Sequence, residues 1–270
     1  VEKAQTGQEV MNLEIQWLGT AGFKISTREA CFLTDPYLSR NADASPCQHL
    51  APSDLRGASH IFISHGHFDH ILDIPAVVEE TGACVVCSPT AAHTLSGMGV
   101  PEKKIRPVDN EDFEVEFNGI KAGCFYSRHI RFDLRLMVST IIRAREKLSE
   151  IIPLFLDFPC GQVLGWRFEI ENRSILFFGS GGSTTRELQR LGLNWDILLL
   201  PLQGHSRICD KALTYVDILR PGLVIPHHQD DFFPPLSQTV DITQFTDQVA
   251  KNFPETKVIP MDLNETVSIL

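Results

Sequence analysis

The stretch that decides the fold reads HIFISHGHFDHILDIPAV, from His60 to Val77. After an apolar run typical of a buried strand, His65 and His67 stand two residues apart, so in an extended loop both rings point to the same side. A glycine between them allows the loop to bend. Asp69 and His70 follow at the predicted start of a helix. Imidazole and carboxylate suit zinc, iron or manganese better than calcium or magnesium, so the stretch predicts a metal-binding loop.

The composition describes an acidic chain with enough apolar residues for a sizeable core. It has 270 residues, 43% of them hydrophobic, a formal charge of -10 and a pI of about 5.4. The acidic balance argues against broad binding to nucleic acid. No apolar run approaches the ~20 residues that span a bilayer, and no signal-peptide pattern is visible. Seven scattered cysteines, an odd number, indicate reduced thiols and predict a cytoplasmic protein.

The alternation of strand and helix signals predicts an α/β layered fold, with one domain over residues 1–270. A segment at about 131–161 breaks this rhythm, because its first part is basic and amphipathic. Its apolar residues Leu136, Met137, Ile141 and Leu148 lie roughly on one side. We predict a helical insertion there, either an ordinary surface helix packed on the core or a lid over an active site.

The run HGHFDH matches the HxHxDH signature at every defined position, and in this the chain resembles the metallo-β-lactamase superfamily. The flanking runs IQWLGTAGFKI, FLTDPYL and LLLPLQG...LRPGLVIPHH are similar to the branch that includes ascorbate-phosphate lactonases. The resemblance implies an αββα sandwich with metals held by loops at one edge of the sheets.

The resemblance also implies that metal ligands lie further along the chain. His129, in CFYSRHIRF, has the expected order and spacing. The run VIPHHQDDF offers two histidines, and the Pro-x-His pattern of relatives selects His228, which leaves His227 beside the ligands or the substrate. The resemblance therefore implies two ligand sets: His65, His67 and His129 for one metal, and Asp69, His70 and His228 for the other.

Ser180 is where the sequence departs from the pattern. Relatives usually carry an aspartate there that bridges both metals, whereas this chain reads SILFFGSGGST. We therefore expect the second metal to be held less tightly, and a mononuclear site stays open. The glycine-rich run at 179–183 is either an anion cradle or a strand-to-helix turn.

The resemblance implies a metal-dependent hydrolase in which metal-bound hydroxide attacks a lactone, ester, amide or phosphodiester, with a small anionic metabolite favoured as substrate. Asp69 would orient the hydroxide and His205 would polarise the substrate or donate a proton. Arg128 and Arg207 are candidates for binding a substrate anion, and Ser180 and His227 are further candidate substrate contacts.

We expect two zinc ions, with manganese or iron as alternatives. The alternative function is a mononuclear non-hydrolytic metalloprotein, either an iron oxygenase or a metal-binding regulatory relative. The expected partner is a small-molecule substrate, no nucleic-acid partner is expected, and a homo-oligomer is compatible with the sequence.

Overall fold

The computed structural model describes residues 13–269, and these form fourteen strands and eight α-helices. The strands are β1 (Leu13–Gly19), β2 (Gly22–Ser26), β3 (Cys31–Thr34), β4 (His60–Phe62), β5 (Cys84–Cys87), β6 (Ile105–Pro107), β7 (Glu114–Phe117), β8 (Ile120–Tyr126), β9 (Leu164–Ile170), β10 (Arg173–Phe178), β11 (Ile197–Pro201), β12 (Leu223–His227), β13 (Lys257–Val258) and β14 (Thr266–Ile269). The helices are α1 (Phe68–Ile71), α2 (Ile74–Thr81), α3 (Pro89–Gly97), α4 (Leu134–Ala144), α5 (Leu148–Asp157), α6 (Thr185–Gln189), α7 (Ile208–Leu219) and α8 (Thr243–Asn252).

The strands form two seven-stranded mixed sheets, in the orders β14-β1-β2-β3-β4-β5-β6 and β13-β12-β11-β10-β9-β8-β7. Strands β3 to β6 pair in parallel, as do β10 to β13. Strands β11 and β12 are buried along their whole length, which explains why they read as continuous apolar runs without alternation. Glu171 and Asn172 form the turn that joins β9 to β10 in an antiparallel hairpin.

The core lies between the two sheets. Phe32 of the first sheet and Phe168 of the second are fully buried, with ring centroids 4.6 Å apart. Separate apolar clusters cover the outer face of each sheet, one with α2 and α3 and the other with α7 and α8. This is the αββα layering that the sequence predicts. Burial of these faces from water stabilises the sandwich.

Several strands end at the same edge of the sandwich, and their exits place the functional side chains. Asp35 follows β3, His65 follows β4 and His129 follows β8. Ser180 follows β10 and His228 follows β12. Ligands of open α/β sheets bind outside the carboxyl ends of strands, so this edge is where a site is expected.

The helix predicted after the histidine run is broken into α1 and α2. Pro75 lies in the first turn of α2, where its missing N–H costs no hydrogen bond. The carboxylate of Asp73, between the helices, accepts the N–H groups of Leu38 and Ser39 at 2.6 and 2.8 Å. Gly82 ends α2 in the left-handed conformation.

Residues 131–161 contain α4 and α5 and are called the helical segment below. Asp133 caps α4 by accepting the N–H of Leu136 at 2.9 Å. The apolar side of α4 lies outward, because Met137 is 43% and Ile141 55% exposed. The interpretation as a surface helix packing its apolar face on the core is therefore wrong. Among residues 13–269, no helix is both long and apolar enough to cross a membrane.

Candidate metal centre

The histidine run folds into one compact cluster at the end of β4. His65 Nε2 and His67 Nδ1 lie 3.1 Å apart, and the ring centroids of His65 and His70 are 3.9 Å apart. His65, Asp69 and His70 are buried and His67 is half-buried. The sequence spacing thus brings four donor side chains to one point, as the loop pattern predicts.

Gly66 has a different role from the bend that the sequence suggests. Its backbone is not in the left-handed region, and a Cβ there would lie 2.3 Å from the carbonyl oxygen of Pro159. Its own N–H donates to the carbonyl of Cys160 at 2.9 Å. The glycine is therefore needed for the close approach of the helical segment to the histidine loop.

The first donor group contains His65, His67 and Cys160, whose ligand atoms all lie within 4.8 Å of one another. His129, the third ligand expected from the sequence, stands beside this group with its ring 5.0 Å from His65 and 4.6 Å from His67. Its Nδ1 donates to the carbonyl of Ile130 at 2.7 Å, which leaves Nε2 with a free lone pair. His129 and Cys160 are therefore both candidates for the third ligand of this metal.

The second donor group is the expected set of Asp69, His70 and His228, again with ligand atoms within 4.8 Å. Asp69 Oδ2 lies 3.5 Å from His70 Nε2 and 3.4 Å from His228 Nε2. His228 adopts a φ of 61° and its N–H donates to the carbonyl of Thr20 at 2.8 Å. A positive φ at a histidine is uncommon, and this turn directs the ring toward Asp69.

A buried carboxylate stands behind the second group. Asp35 is fully buried and accepts Nδ1–H of His70 at 2.7 Å and the N–H of Ser64 at 2.7 Å. This hydrogen bond fixes the tautomer and orients Nε2 of His70 toward Asp69. Burial lowers the pKa of His70, but the carboxylates of Asp69 and Asp35 outweigh it, so the pKa is raised. The same carboxylates would stabilise a bound cation.

The three histidines expected to hold the first metal have lowered pKa values, which favours the neutral form that a metal ligand needs. Burial, reinforced by neighbouring histidines, puts the pKa of His65 well below its usual range. Burial lowers the pKa of His67 to about 4 and also lowers that of His129. Burial opposes ionisation of Asp69, yet the adjacent histidines, His70 first, hold its carboxyl pKa well below the usual range. The cluster therefore offers imidazole lone pairs and one ionised carboxylate.

These distances fit a tetrahedral metal. Two donors that each lie 2.0–2.1 Å from a zinc ion stand about 3.3 Å apart. The His65–His67 separation of 3.1 Å and the Asp69 separations of 3.5 and 3.4 Å are close to that value.

The donors open into a cavity whose other walls are mainly apolar. Phe155 of the helical segment lies 5.8 Å from the His67 ring and 6.2 Å from Phe68, measured between centroids. The helical segment therefore packs beside the donors, on the site side of the sandwich. The apolar residues that line the cavity are Phe68, Ile130, Phe132, Phe155, Phe232 and Leu236.

Ser180 also lines the cavity and is buried. Its hydroxyl accepts the N–H of Ile130 at 3.0 Å, so it steadies the loop that carries His129. In the glycine-rich run, a Cβ at Gly179 would lie 2.0 Å from Ser64 Oγ and one at Gly182 2.3 Å from the carbonyl of His129. These contacts favour the interpretation of the run as a tight turn over that of an anion cradle.

Three proposed polar contacts lie outside the cavity. Arg128 pairs with Glu187 at 2.7 Å and is exposed. His205 lies in a neighbouring groove, with Nδ1 3.2 Å from the Asp133 carboxylate. Arg207, also exposed and directly before α7, pairs with the aspartate three residues further along the chain. Neither the catalytic role expected of His205 nor the anion-binding roles of the arginines gains support from these positions.

His227 does not reach the cavity either. It is fully buried between the sheets, with its ring centroid 5.2 Å from that of Phe23 and 5.7 Å from that of Phe177. The expectation that His227 contacts substrate is not supported, because it belongs to the apolar core. His228, the next residue, turns to the donor group.

Sequence reasoning missed Asp35 and Cys160. Asp35 stood out only as a strand end before a proline, although an aspartate at the exit of a strand next to β4 was a usable signal. Cys160 carried no local signal, since only the return of the helical segment brings its thiol to the histidines.

Comparisons with known proteins agree with this geometry. Residues 31–229, nearly three quarters of the chain, match the family model described as the beta-lactamase superfamily domain. Over 88 residues the chain is 38% identical to a UPF0173 metal-dependent hydrolase of Brucella canis, a match covering 33% of this chain and 36% of the relative. The chain therefore spans about a third of that relative's length.

Two solved structures share the fold. Igni18, a metallo hydrolase from Ignicoccus hospitalis, has a TM-score of 0.68 at 19% identity, covering 96% of this chain and 99% of the other. The metallo-beta-lactamase fold protein YhfI of Bacillus subtilis has a TM-score of 0.61 at 10% identity, covering 96% and 100%. The predicted sandwich is thus confirmed, whereas the lactonase branch stays a prediction. The signature, the fold and the family match together place this chain in the metallo-β-lactamase superfamily.

Proposed function

We propose that the protein is a metal-dependent hydrolase. The observation that carries the proposal is the pair of adjoining donor groups at the mouth of one cavity, with the ring centroids of His65 in one group and His70 in the other 3.9 Å apart. Such a pair suits two zinc ions, with manganese or iron as alternatives. The name of the Brucella canis relative, a metal-dependent hydrolase, agrees with this activity.

A bound metal pair would supply a hydroxide near neutral pH and a Lewis acid for the developing oxyanion. His65, His67 and His129 would hold one ion, and Asp69, His70 and His228 the other. Because the pKa of Asp69 lies well below its usual range, its carboxylate is a weak base. Asp69 would therefore orient a water through a hydrogen bond and contribute little to proton removal.

The cavity favours a substrate with an apolar group next to the scissile bond. Within the described part of the chain, none of the residues that line the cavity is lysine or arginine. If the substrate were the small anionic metabolite that the sequence favours, the metals would be the only positive charges in the cavity that could attract it. Phe68, Phe155 and Phe232 can instead bury an acyl or aryl group. We therefore favour an ester, lactone, amide or phosphodiester with such a group.

Metal analysis of the purified protein tests the proposal, followed by a screen of esters, lactones, amides and phosphodiesters with the metal found. Each substrate is paired with an analogue that has a short, polar acyl group. We expect two ions per chain and faster hydrolysis of the apolar member of a pair. A single redox-active iron without hydrolysis of any class would overturn the proposal in favour of the iron oxygenase.

A further inference from the structure

The exposed large hydrophobic side chains of the described residues are concentrated in one place. Nine of the ten lie between Phe132 and Leu156, on or beside the two helices of the helical segment. The tenth, Leu193, lies elsewhere and is 63% exposed. Single exposed apolar residues are ordinary, but a concentration of this kind marks an interaction surface.

Helix α4 is oriented opposite to an ordinary surface helix. Its buried residues are the small Thr140 and Ala144, whereas large apolar side chains recur outward at helical spacing. We call these five residues the outer face of α4. They are Leu134 (73% exposed), Met137 (43%), Val138 (48%), Ile141 (55%) and Ile142 (60%).

The charge around this face is opposite to that of the protein. Residues 131–147 contain five basic and two acidic residues, a net charge of +3, within a chain of net charge -10. Arg135 and Arg145 are both exposed, and they border the apolar stripe at its two ends. An apolar stripe with basic side chains at its edge is the pattern by which helices lie on an anionic lipid surface.

The same face leads to the cavity. Phe132, just before α4, and Phe155 of α5 line the cavity and are also 39% and 42% exposed. A surface that covered the helical segment would therefore touch the apolar mouth of the site. A lipid surface suits both features, because its interior accepts apolar side chains and its headgroups attract basic ones.

We propose that the outer face of α4 docks on an anionic lipid surface. A second copy of the chain is the less suitable occupant, because a two-fold contact sets each patch against itself. Such a contact would bring Arg135 and Arg145 near the same arginines of the other copy, which is unfavourable. Docking involves no donor residue, so it does not depend on the proposed hydrolysis.

Vesicle co-sedimentation tests the proposal with the full chain. One vesicle preparation is phosphatidylcholine alone and the other is equal parts phosphatidylcholine and phosphatidylglycerol. We expect binding to the second, with each basic side chain adding on the order of fivefold to partitioning. Raising the salt from 0.1 to 1 M shortens the Debye length from about 10 to 3 Å and should weaken the binding.

The variant Ile141→Asp with Ile142→Asp should lower partitioning at least about tenfold, because two apolar side chains no longer enter the lipid. Both positions are more than half exposed, so the fold tolerates the change. Leu193→Asp is the matched control, since it makes the same kind of substitution away from α4, and it should bind like the unchanged protein.

Three results would overturn the proposal. One is absence of binding to the anionic vesicles. Another is equal binding by the double variant and the control. The third is a dimer of the unchanged protein, seen by analytical ultracentrifugation, that the double variant abolishes. Chelator-treated protein should bind vesicles like untreated protein, so failed docking and failed hydrolysis are distinguishable.

Discussion

The two donor groups differ in charge and in what stands behind them. In the first, His65 and His67 are neutral, and the polar partner behind His65 is the Ser64 hydroxyl at 2.9 Å. In the second, Asp69 is ionised and a second carboxylate, Asp35, backs His70. Since carboxylates attract a dication, we expect the second group to bind its ion more tightly.

This order is the reverse of the one that Ser180 suggests from sequence. The missing bridging carboxylate weakens the second group, but another buried carboxylate can offset that loss. The structure places Asp35 where it orients a donor and adds that charge. The difference teaches that the order of affinities depends on buried neighbours as well as on the donors themselves.

His67→Ala breaks the first group and should have the largest effect. We expect metal content to fall to that of the second group alone, and hydrolysis to drop about a thousandfold or more, because metal activation of water is lost. The fold should survive, since burial of apolar residues holds the sandwich together. Elemental analysis, an activity assay and a thermal melt check this. His93→Ala, on the exposed side of α3, is the control, and a full metal complement in His67→Ala would refute the ligand assignment.

Asp35→Asn tests the support behind the second group. The amide keeps the shape but removes the charge and the strong acceptor for His70. The affinity of the second group should fall by ~10–100-fold while that of the first changes little. A chelator titration that separates the two release steps measures both. Asp109→Asn, at an exposed position, should leave both steps unchanged, and equal weakening of both groups by Asp35→Asn would contradict the comparison.

Ser180→Asp tests the bridging position. An aspartate can still accept the N–H of Ile130, and its charge should tighten the second group by about tenfold or more. The same titration compares the release curves with those of Ser96→Asp, which adds a charge at an exposed position of α3. If Ser180→Asp leaves the curves unchanged, Ser180 does not occupy the bridging position.

Gly66→Ala tests whether the helical segment supports the first group. A Cβ would lie 2.3 Å from the Pro159 carbonyl oxygen, so the backbone must shift at a cost of about 1–3 kcal/mol. We expect a lower Tm and weaker binding by the first group. Gly97→Ala is the control, because no atom lies within 4 Å of its Cβ position. An unchanged Tm for Gly66→Ala would mean that the contact is easily relieved.

Cys160→Ser should have the smallest effect. Burial, helped by nearby Asp69, raises the pKa of the Cys160 thiol to about 11, so the thiol is protonated and His129 is the better third donor. We expect the cobalt-loaded protein to lack thiolate-to-cobalt charge-transfer absorption and the variant to bind metal almost normally. Strong absorption that the variant abolishes would assign Cys160 as the donor.

The fold and the main donors could be predicted because their signals are local. The histidine run is nearly contiguous, and the buried strand before it sets its position at a sheet edge. Asp35 could not be identified in this way, since its role depends on β3 pairing with β4 in parallel. That pairing carries Asp35 to Ser64 and His70 across 29 and 35 residues of sequence.

The distinction between His227 and His228 needed the backbone. Both follow the same strand signal, and only the left-handed turn at His228 separates a core side chain from a donor. The outward orientation of α4 could not be predicted either. An amphipathic pattern shows which residues form the apolar face of a helix, but it does not show whether that face packs on the core or faces solvent.

The contact between Gly66 and the end of the helical segment bears on how such proteins could be recombined. Its backbone hydrogen bond joins the histidine loop to Cys160, and the room left by Gly66 is filled by Pro159. A chimera that received the helices of another superfamily member would have a different backbone next to residue 66. That backbone could displace the histidines of the metal-binding loop. Transplants should therefore carry residue 66 and residues 159–161 together as one unit, so that substrate preference is exchanged without disturbing metal binding.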